Sequence, residues 1–121
     1  MKFTLPWPPT VNHLHTVNRG RKILSSKARR WYEECGWVVR TQSSSSLDAR
    51  RVEIVIDLRP PSRRRYDIDN RIKPVLDVLV KNHIIPDDDC SVVRRLTVHA
   101  LDYDPDIAAC ASVEIKPYEV L

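Results

Sequence analysis

Val52-Glu53-Ile54-Val55-Ile56-Asp57-Leu58-Arg59-Pro60-Pro61-Ser62-Arg63-Arg64-Arg65-Tyr66-Asp67-Ile68-Asp69-Asn70-Arg71-Ile72-Lys73-Pro74-Val75-Leu76-Asp77-Val78-Leu79-Val80 changes its hydrophobic period midway, and the change decides the fold. Val52, Ile54, Ile56 and Leu58 alternate with Arg51, Glu53 and Asp57, the period of a half-buried strand. Pro60-Pro61 ends that strand. Ile72, Val75, Leu76, Leu79 and Val80 then fall at i, i+3, i+4, i+7 and i+8, the stripe of a helix that packs on a core. The helix is expected to begin near Asp69 or Asn70, with Pro74 within its first turn or so, where a missing N–H does least harm. Asn82-His83 end it.

Upstream, residues 1–5 read as a short strand closed by the rigid Pro6-Trp7-Pro8-Pro9. Asn18-Arg19-Gly20, between Val17 and Ile23, is turn chemistry and predicts a hairpin over residues 14–24. Ser25 and Ser26 offer an N-cap to a first amphipathic helix over residues 27–41, with Ala28, Trp31, Tyr32, Cys35, Val38 and Val39 at helical spacing. Gly36 inside it marks close packing, and Ser43 to Ser46 form a low-complexity loop. Downstream, Pro86-Asp87-Asp88-Asp89 lead to an extended segment, residues 91–101. Asp102 to Asp106 make an acidic turn, and Cys110 to Lys116 a last strand. The 121 residues form one domain, 1–121, of the α+β (mixed α/β) class. One mixed β-sheet packed by two helices is expected, without a strict βαβ repeat.

With 42% hydrophobic residues the chain can bury a modest core. No apolar run reaches the roughly 20 residues of a membrane span, and the N-terminus lacks the apolar core of a signal peptide. A cytoplasmic protein without a membrane partner is the expectation. Cys35, Cys90 and Cys110 contain no C-x-x-C pair, so they read as small thiols rather than a disulfide or zinc framework.

The formal charge of +4 hides a polarity. Residues 1–66 carry 14 Lys/Arg against 5 Asp/Glu, and residues 67–121 carry 6 against 11. A basic half suggests a polyanion partner; an acidic half beside it suggests carboxylates gathered around a metal that works on that polyanion.

The chemistry concentrates between Arg63 and Lys73. In an extended segment Asp67 and Asp69 would project to one side. Two such carboxylates repel unless a cation lies between them. Hard oxygen ligands suit Mg²⁺ or Mn²⁺. Arg63, Arg64 and Arg65 supply phosphate-binding charge, and Lys73 shares a helical face with Asp69. Asp87-Asp88-Asp89 follow the helix. For Asp88 to meet Asp67 and Asp69 their loop must fold back, as it would if a neighbouring strand started beside the end of the earlier one. These features support a Mg²⁺-dependent phosphodiesterase in which Lys73 neutralises the transition state or protonates the leaving oxygen. The bland alternative makes Asp67 and Asp69 helix caps and Asp87 to Asp89 a solvated turn.

At these residues the chain resembles the RusA family of Holliday junction resolvases. The likeness runs from Leu5-Pro6-Trp7-Pro8-Pro9-Thr10 through Asn18-Arg19-Gly20-Arg21 and Ser25 to Arg30. It is strongest over Arg63 to Asn70, Lys73 and Asp87-Asp88. The resemblance implies a small homodimeric endonuclease that binds four-way DNA junctions and nicks two opposed strands symmetrically in recombination and repair, using Mg²⁺ or Mn²⁺. It implies Asp67, Asp69 and Asp88 as metal-site acids, Lys73 as the catalytic lysine, and Asn70 as the residue after the D-x-D. It also suggests a phage or prophage origin. Asp89 departs from the pattern as a third consecutive acid. A dimer suits the approximate two-fold symmetry of a four-way junction.

Arg19, Arg21, Lys22 and Arg63 to Arg65 are read as DNA contacts, although one of the last three could instead pair with Asp67 or Asp69. Trp7, Trp31 and Trp37 are read as packing residues. His83 and His99 lack metal-ligand spacing, and Arg94 and Arg95 point to opposite faces of their strand. Two further readings are a non-catalytic, structure-selective nucleic-acid-binding module and a small regulatory protein with an acidic interaction loop.

Overall fold

β-Branched and aliphatic residues at every second position make Val52–Arg59 (β4) one of the two inner strands of a four-stranded sheet. The structure is a computed structural model and describes residues 1–42, 47 and 49–119. Ser43 to Ser46 therefore lie outside the described residues. The chain runs through β1 (Lys2–Pro6), a short 3₁₀ turn (Val11–His13), β2 (His15–Asn18), β3 (Arg21–Leu24) and α1 (Ser26–Gln42). After β4 come α2 (Ile68–Lys81), β5 (Val93–Ala100) and β6 (Cys110–Pro117). The large sheet is ordered β1-β6-β4-β5. β6 pairs antiparallel with β1 and β4, whereas β5 pairs parallel with β4, in register Ile54↔Leu96 and Ile56↔Val98. The sheet is mixed, as its class requires.

The parallel pair has α2 as its crossover, so β4-α2-β5 is a single βαβ unit within an otherwise antiparallel arrangement. Val52, Ile54, Ile56 and Leu58 are fully buried on one face, with Phe3, Leu5, Ala111, Val113 and Ile115. Against them pack Trp31, Cys35 and Val39 of α1 and Ile72, Val75, Val78 and Leu79 of α2. The other face carries a run of charge pairs, Lys2–Glu114, Glu114–Lys116, Lys116–Glu53 and Glu53–Arg95.

β2 and β3 form a separate two-stranded ribbon rather than joining the main sheet. Its turn places Arg19 at φ 52° and Gly20 at φ 76°, the paired left-handed residues that match a tight hairpin to strand twist. All eight strand residues but Leu24 are exposed, so Arg19, Arg21 and Lys22 stand on a projecting tip.

Ser25 caps α1: its hydroxyl accepts the Ala28 N–H at 3.1 Å and donates to the His13 carbonyl at 3.1 Å. Trp31 is buried and donates its indole N–H to the Pro6 carbonyl at 3.0 Å. Trp37 corrects the packing expectation, because it is 65% exposed. It lies two residues from buried Cys35, about 200° around the helix, on the solvent side. A Cβ on Gly36 would come within 3.3 Å of Asn82 Oδ1, which bears out close packing of α1 on the end of α2.

α2 begins at Ile68, and this moves Pro74 out of the first turn. Pro74 is buried in the helix interior, and the Asn70 carbonyl has no i+4 donor there. No helix among the described residues is long and apolar enough to cross a membrane.

Candidate active site on helix α2

The loop 60–66 leaves β4 and brings the chain to the start of α2. Tyr66 meets Trp7 edge-on, with ring centroids 5.1 Å apart at 88°. The Arg71 guanidinium lies 5.3 Å from the Trp7 ring centre and donates to the Pro8 carbonyl at 2.6 Å. These contacts pin the first turn of α2 to the Pro-rich segment.

Asp67 occupies the N-cap, with extended backbone at φ −83° and ψ 121°, yet its side chain makes no capping hydrogen bond. Among the described residues it accepts only a long 3.4 Å bond from the Asn70 amide. Asp69 is the acid of the first turn. The extended-chain expectation for Asp67 and Asp69 is thereby corrected: the helix starts between them, and period-two alternation does not apply. Both acids still sit where the helix dipole favours negative charge. Capping does not occupy the Asp67 carboxylate, so the bland alternative loses one of its two supports.

Lys73 follows Asp69 by one turn, and Asp77 follows Lys73 by another, each step about 6 Å along the axis. Lys73 Nζ donates to Asp88 Oδ2 at 2.7 Å and lies 3.0 Å from Asp77 Oδ1. The bonds to Asp88 and then Asp77 raise the Lys73 pKa, so its ammonium form is favoured. Asp77 also accepts the Tyr32 hydroxyl at 3.3 Å. Burial and the Asp77 carboxylate push that phenol above its usual range, and it remains a donor. Asp77 escaped the sequence reading; its i+4 spacing from Lys73 was the available signal.

Asp88 reaches Lys73 by a route other than the one expected. β5 starts beside the start of β4, with Val52 opposite Val93, not beside its end. The loop after α2 instead doubles back along the helix. His83 takes φ 58°, and the N–H groups of Ile84 and Ile85 both donate to the Leu79 carbonyl at 2.9 and 3.3 Å. The three consecutive acids then separate by role. Asp87 accepts the Asp88 N–H at 2.7 Å, Asp88 holds Lys73, and Asp89 accepts the Ser91 N–H at 2.8 Å. Bonds from Ser91 lower the Asp89 pKa.

The structure thus joins Asp88, Lys73 and Asp77 and links Asp67 to Asn70. Among the described residues no three acids, histidines or cysteines converge to cage a metal ion. Asp67 and Asp69 are exposed carboxylates whose hard oxygens fit Mg²⁺ bound through one or two carboxylates with several waters retained, whereas Asp88 is half-buried and taken up by Lys73. This donor set does not fit a closed all-protein site.

Of the arginines, Arg63 lies 5.6 Å from the Tyr103 ring centre, and none of Arg63 to Arg65 pairs with Asp67 or Asp69 among the described residues. His99 Nδ1 meets Asp57 at 2.7 Å, Arg95 pairs with Glu53, and Arg94 donates to the Cys90 carbonyl at 2.9 Å.

A family model described as endodeoxyribonuclease RusA matches residues 6–116. The crossover junction endodeoxyribonuclease RusA of Escherichia coli K12 is 34% identical over 79 residues, which cover 65% of this chain and 66% of that protein. The protein of the same name from Enterobacteria phage 82 is 39% identical over 82 residues, again 65% and 66%. That of Escherichia coli O139:H28 is 32% identical over 94 residues, 78% of each. The matched region spans 66% of the length of the first two curated relatives.

Proposed function

The chain belongs to the RusA family of endodeoxyribonucleases, and on that premise we propose that it cuts four-way DNA junctions by paired symmetric nicks. The observation that carries the reading is the Lys73 ammonium, 2.7 Å from Asp88 and one helical turn from Asp69. A cation and several acids gathered on one exposed helix face suit hydrolysis of a phosphodiester.

Asp67 and Asp69 are the residues that would hold Mg²⁺, joined by Asp88 once it releases Lys73, with Mn²⁺ as a substitute of the same hard-oxygen preference. When bound, the ion supplies charge neutralisation at the scissile phosphate and acidifies water. Lys73 places its N–H donors where negative charge builds on the phosphate oxygens, and it can give a proton to the leaving oxygen. Asp77 aims that ammonium. Arg63, Arg64 and Arg65, immediately before the acids, draw in the backbone phosphates; Arg19, Arg21 and Lys22 on the ribbon tip extend the contact; Asn70 steadies Asp67.

The working unit is a homodimer of the 1–121 domain acting in the cytoplasm of a bacterial or phage-infected cell. Two nicks require two equivalent sites facing opposed strands. The second copy is placed along the open edge of β5. There Leu96 and Val98 form an apolar groove with Ile68, Ile72 and Leu76, and Asp69 and Lys73 stand on its rim.

The test is cleavage of a synthetic four-way junction beside linear duplex, with and without Mg²⁺. Junction-selective, Mg²⁺-dependent nicking is expected. Asp69→Asn should lose cleavage and keep or tighten junction binding, because a repulsive charge beside phosphate disappears. A wild-type cutting rate in Asp69→Asn would leave the non-catalytic binding module as the better reading.

A further inference from the structure

The loop 60–66 also borders a groove that none of the acids of α2 lines. It walls this groove, open and of about 360 Å³, with the Pro-rich segment. Trp7 and Tyr66 supply aromatic surface, and His13, Arg64, Arg65 and Arg71 supply donors and positive charge. No acid is among the lining residues, although acids stand within a few residues along the chain. The Tyr66 hydroxyl is shielded from solvent and has no hydrogen-bond partner among the described residues. A buried hydroxyl left in that state is costly, and a nucleotide in the groove satisfies it only when the Tyr66 ring turns to bring its oxygen to the groove wall.

Aromatic rings beside a cluster of cations are the combination that holds a nucleotide out of its stack: the base lies on a ring, and the phosphate meets the charges. The volume suits one nucleotide. We propose that this groove is a nucleotide subsite, taking one unstacked deoxynucleotide of the DNA, its base against Trp7 and Tyr66 and its phosphate at His13, Arg64 and Arg65. The inference rests on the nuclease reading and deepens it. Tyr66 is the residue before Asp67, so a nucleotide seated here fixes the register of its strand against the candidate cutting site. Such a subsite selects which phosphodiester along the strand is cut.

The test uses the full chain with EDTA present, a fluorescent five-nucleotide single strand, and a four-way junction with 2-aminopurine at its branch point. Three variants, His13→Ala, Tyr66→Phe and Trp7→Leu, are compared. The first two remove one exposed ring and one hydroxyl, so they keep the test valid if Trp7→Leu fails to fold. The wild type should bind the pentanucleotide and enhance 2-aminopurine fluorescence as the base leaves the stack. Trp7→Leu should weaken pentanucleotide binding on the order of tenfold, and the two milder variants several-fold. With Mg²⁺ restored, all folded variants should cut the junction at a broader set of positions. Wild-type pentanucleotide affinity in His13→Ala and Tyr66→Phe would overturn the subsite. So would displacement of the pentanucleotide by inorganic phosphate as readily as by a deoxynucleoside monophosphate. A wild type that cuts junctions while pocket variants bind unchanged removes the subsite and keeps the nuclease. Pocket-dependent binding without junction cutting does the reverse.

Discussion

Lys73 is held by two acids that come from different parts of the chain. Asp77 is built into the same helix, so its 3.0 Å contact survives any movement of the acidic loop. Asp88 arrives on that loop, so its 2.7 Å contact with Lys73 depends on the loop's path. Asp77→Asn should therefore act through positioning. We expect roughly a tenfold fall in junction cleavage with junction affinity unchanged, measured by single-turnover kinetics beside a gel-shift titration. An equal loss of affinity would mean that Asp77 supports the fold rather than the ammonium. That Asp69 and Lys73 share a helix face was legible because four residues make about one helical turn. The geometry of Asp67 and Asp69 was not, because a D-x-D reads the same whether the helix starts before, within or after it. The cysteines separate on burial alone: Cys35 is buried, Cys90 exposed and Cys110 between them. Burial raises the Cys35 pKa, which depletes its reactive thiolate. Alkylation followed by mass spectrometry should label Cys90 first and Cys35 only on unfolding.

At the scale of elements, the core-facing stripes and both edge strands were legible, residues 1–5 and 91–101 being β1 and β5, whereas the path of the acidic loop was not. β4 and α2 each bury one face, so their periods of two and 3.6 survive in the sequence. β5 has a register shift opposite Val52 and Glu53 and one open side, and both blur its alternation. The acidic loop could not be traced from the sequence, since its return along α2 depends on Ile84 and Ile85 bonding to Leu79. Capping was visible: Ser25 stands one residue before α1 with its hydroxyl on the Ala28 N–H. Because the same hydroxyl donates to His13, it also ties the helix to the 3₁₀ turn. Ser25→Ala should lower unfolding free energy by about 1 kcal/mol in a urea titration, with an unchanged m-value. No measurable loss would show that water caps the helix equally well.

At the scale of the molecule, one face of the sheet is covered by helices and the other by charge pairs, which leaves the two edges. β1 closes one of them. β5, eight residues long, closes the other, and its outer N–H and C=O groups have no strand partner among the described residues. An open edge of that length is normally blunted by charge or covered. Arg94 and Arg95 supply charge, but Leu96 and Ile68 are 42% and 44% exposed and lie in the same groove between β5 and α2. Burying such a patch against a second copy gains a hydrophobic term of about 25 cal/mol per Å² of apolar area, opposed by the entropy lost on association. Asp69 and Lys73 border the groove, so a two-fold contact here would set the two candidate sites in fixed relation. Leu96→Lys places a like charge opposite its own mate across such an axis. It should shift the chain from dimer to monomer in sedimentation velocity at micromolar concentration. It should also convert paired incision of a cruciform plasmid into single nicks, because the second site is then no longer delivered within the lifetime of the complex. If the variant stays dimeric and still makes coupled nicks, the partner sits elsewhere, and the edge of β5 is protected by its arginines alone.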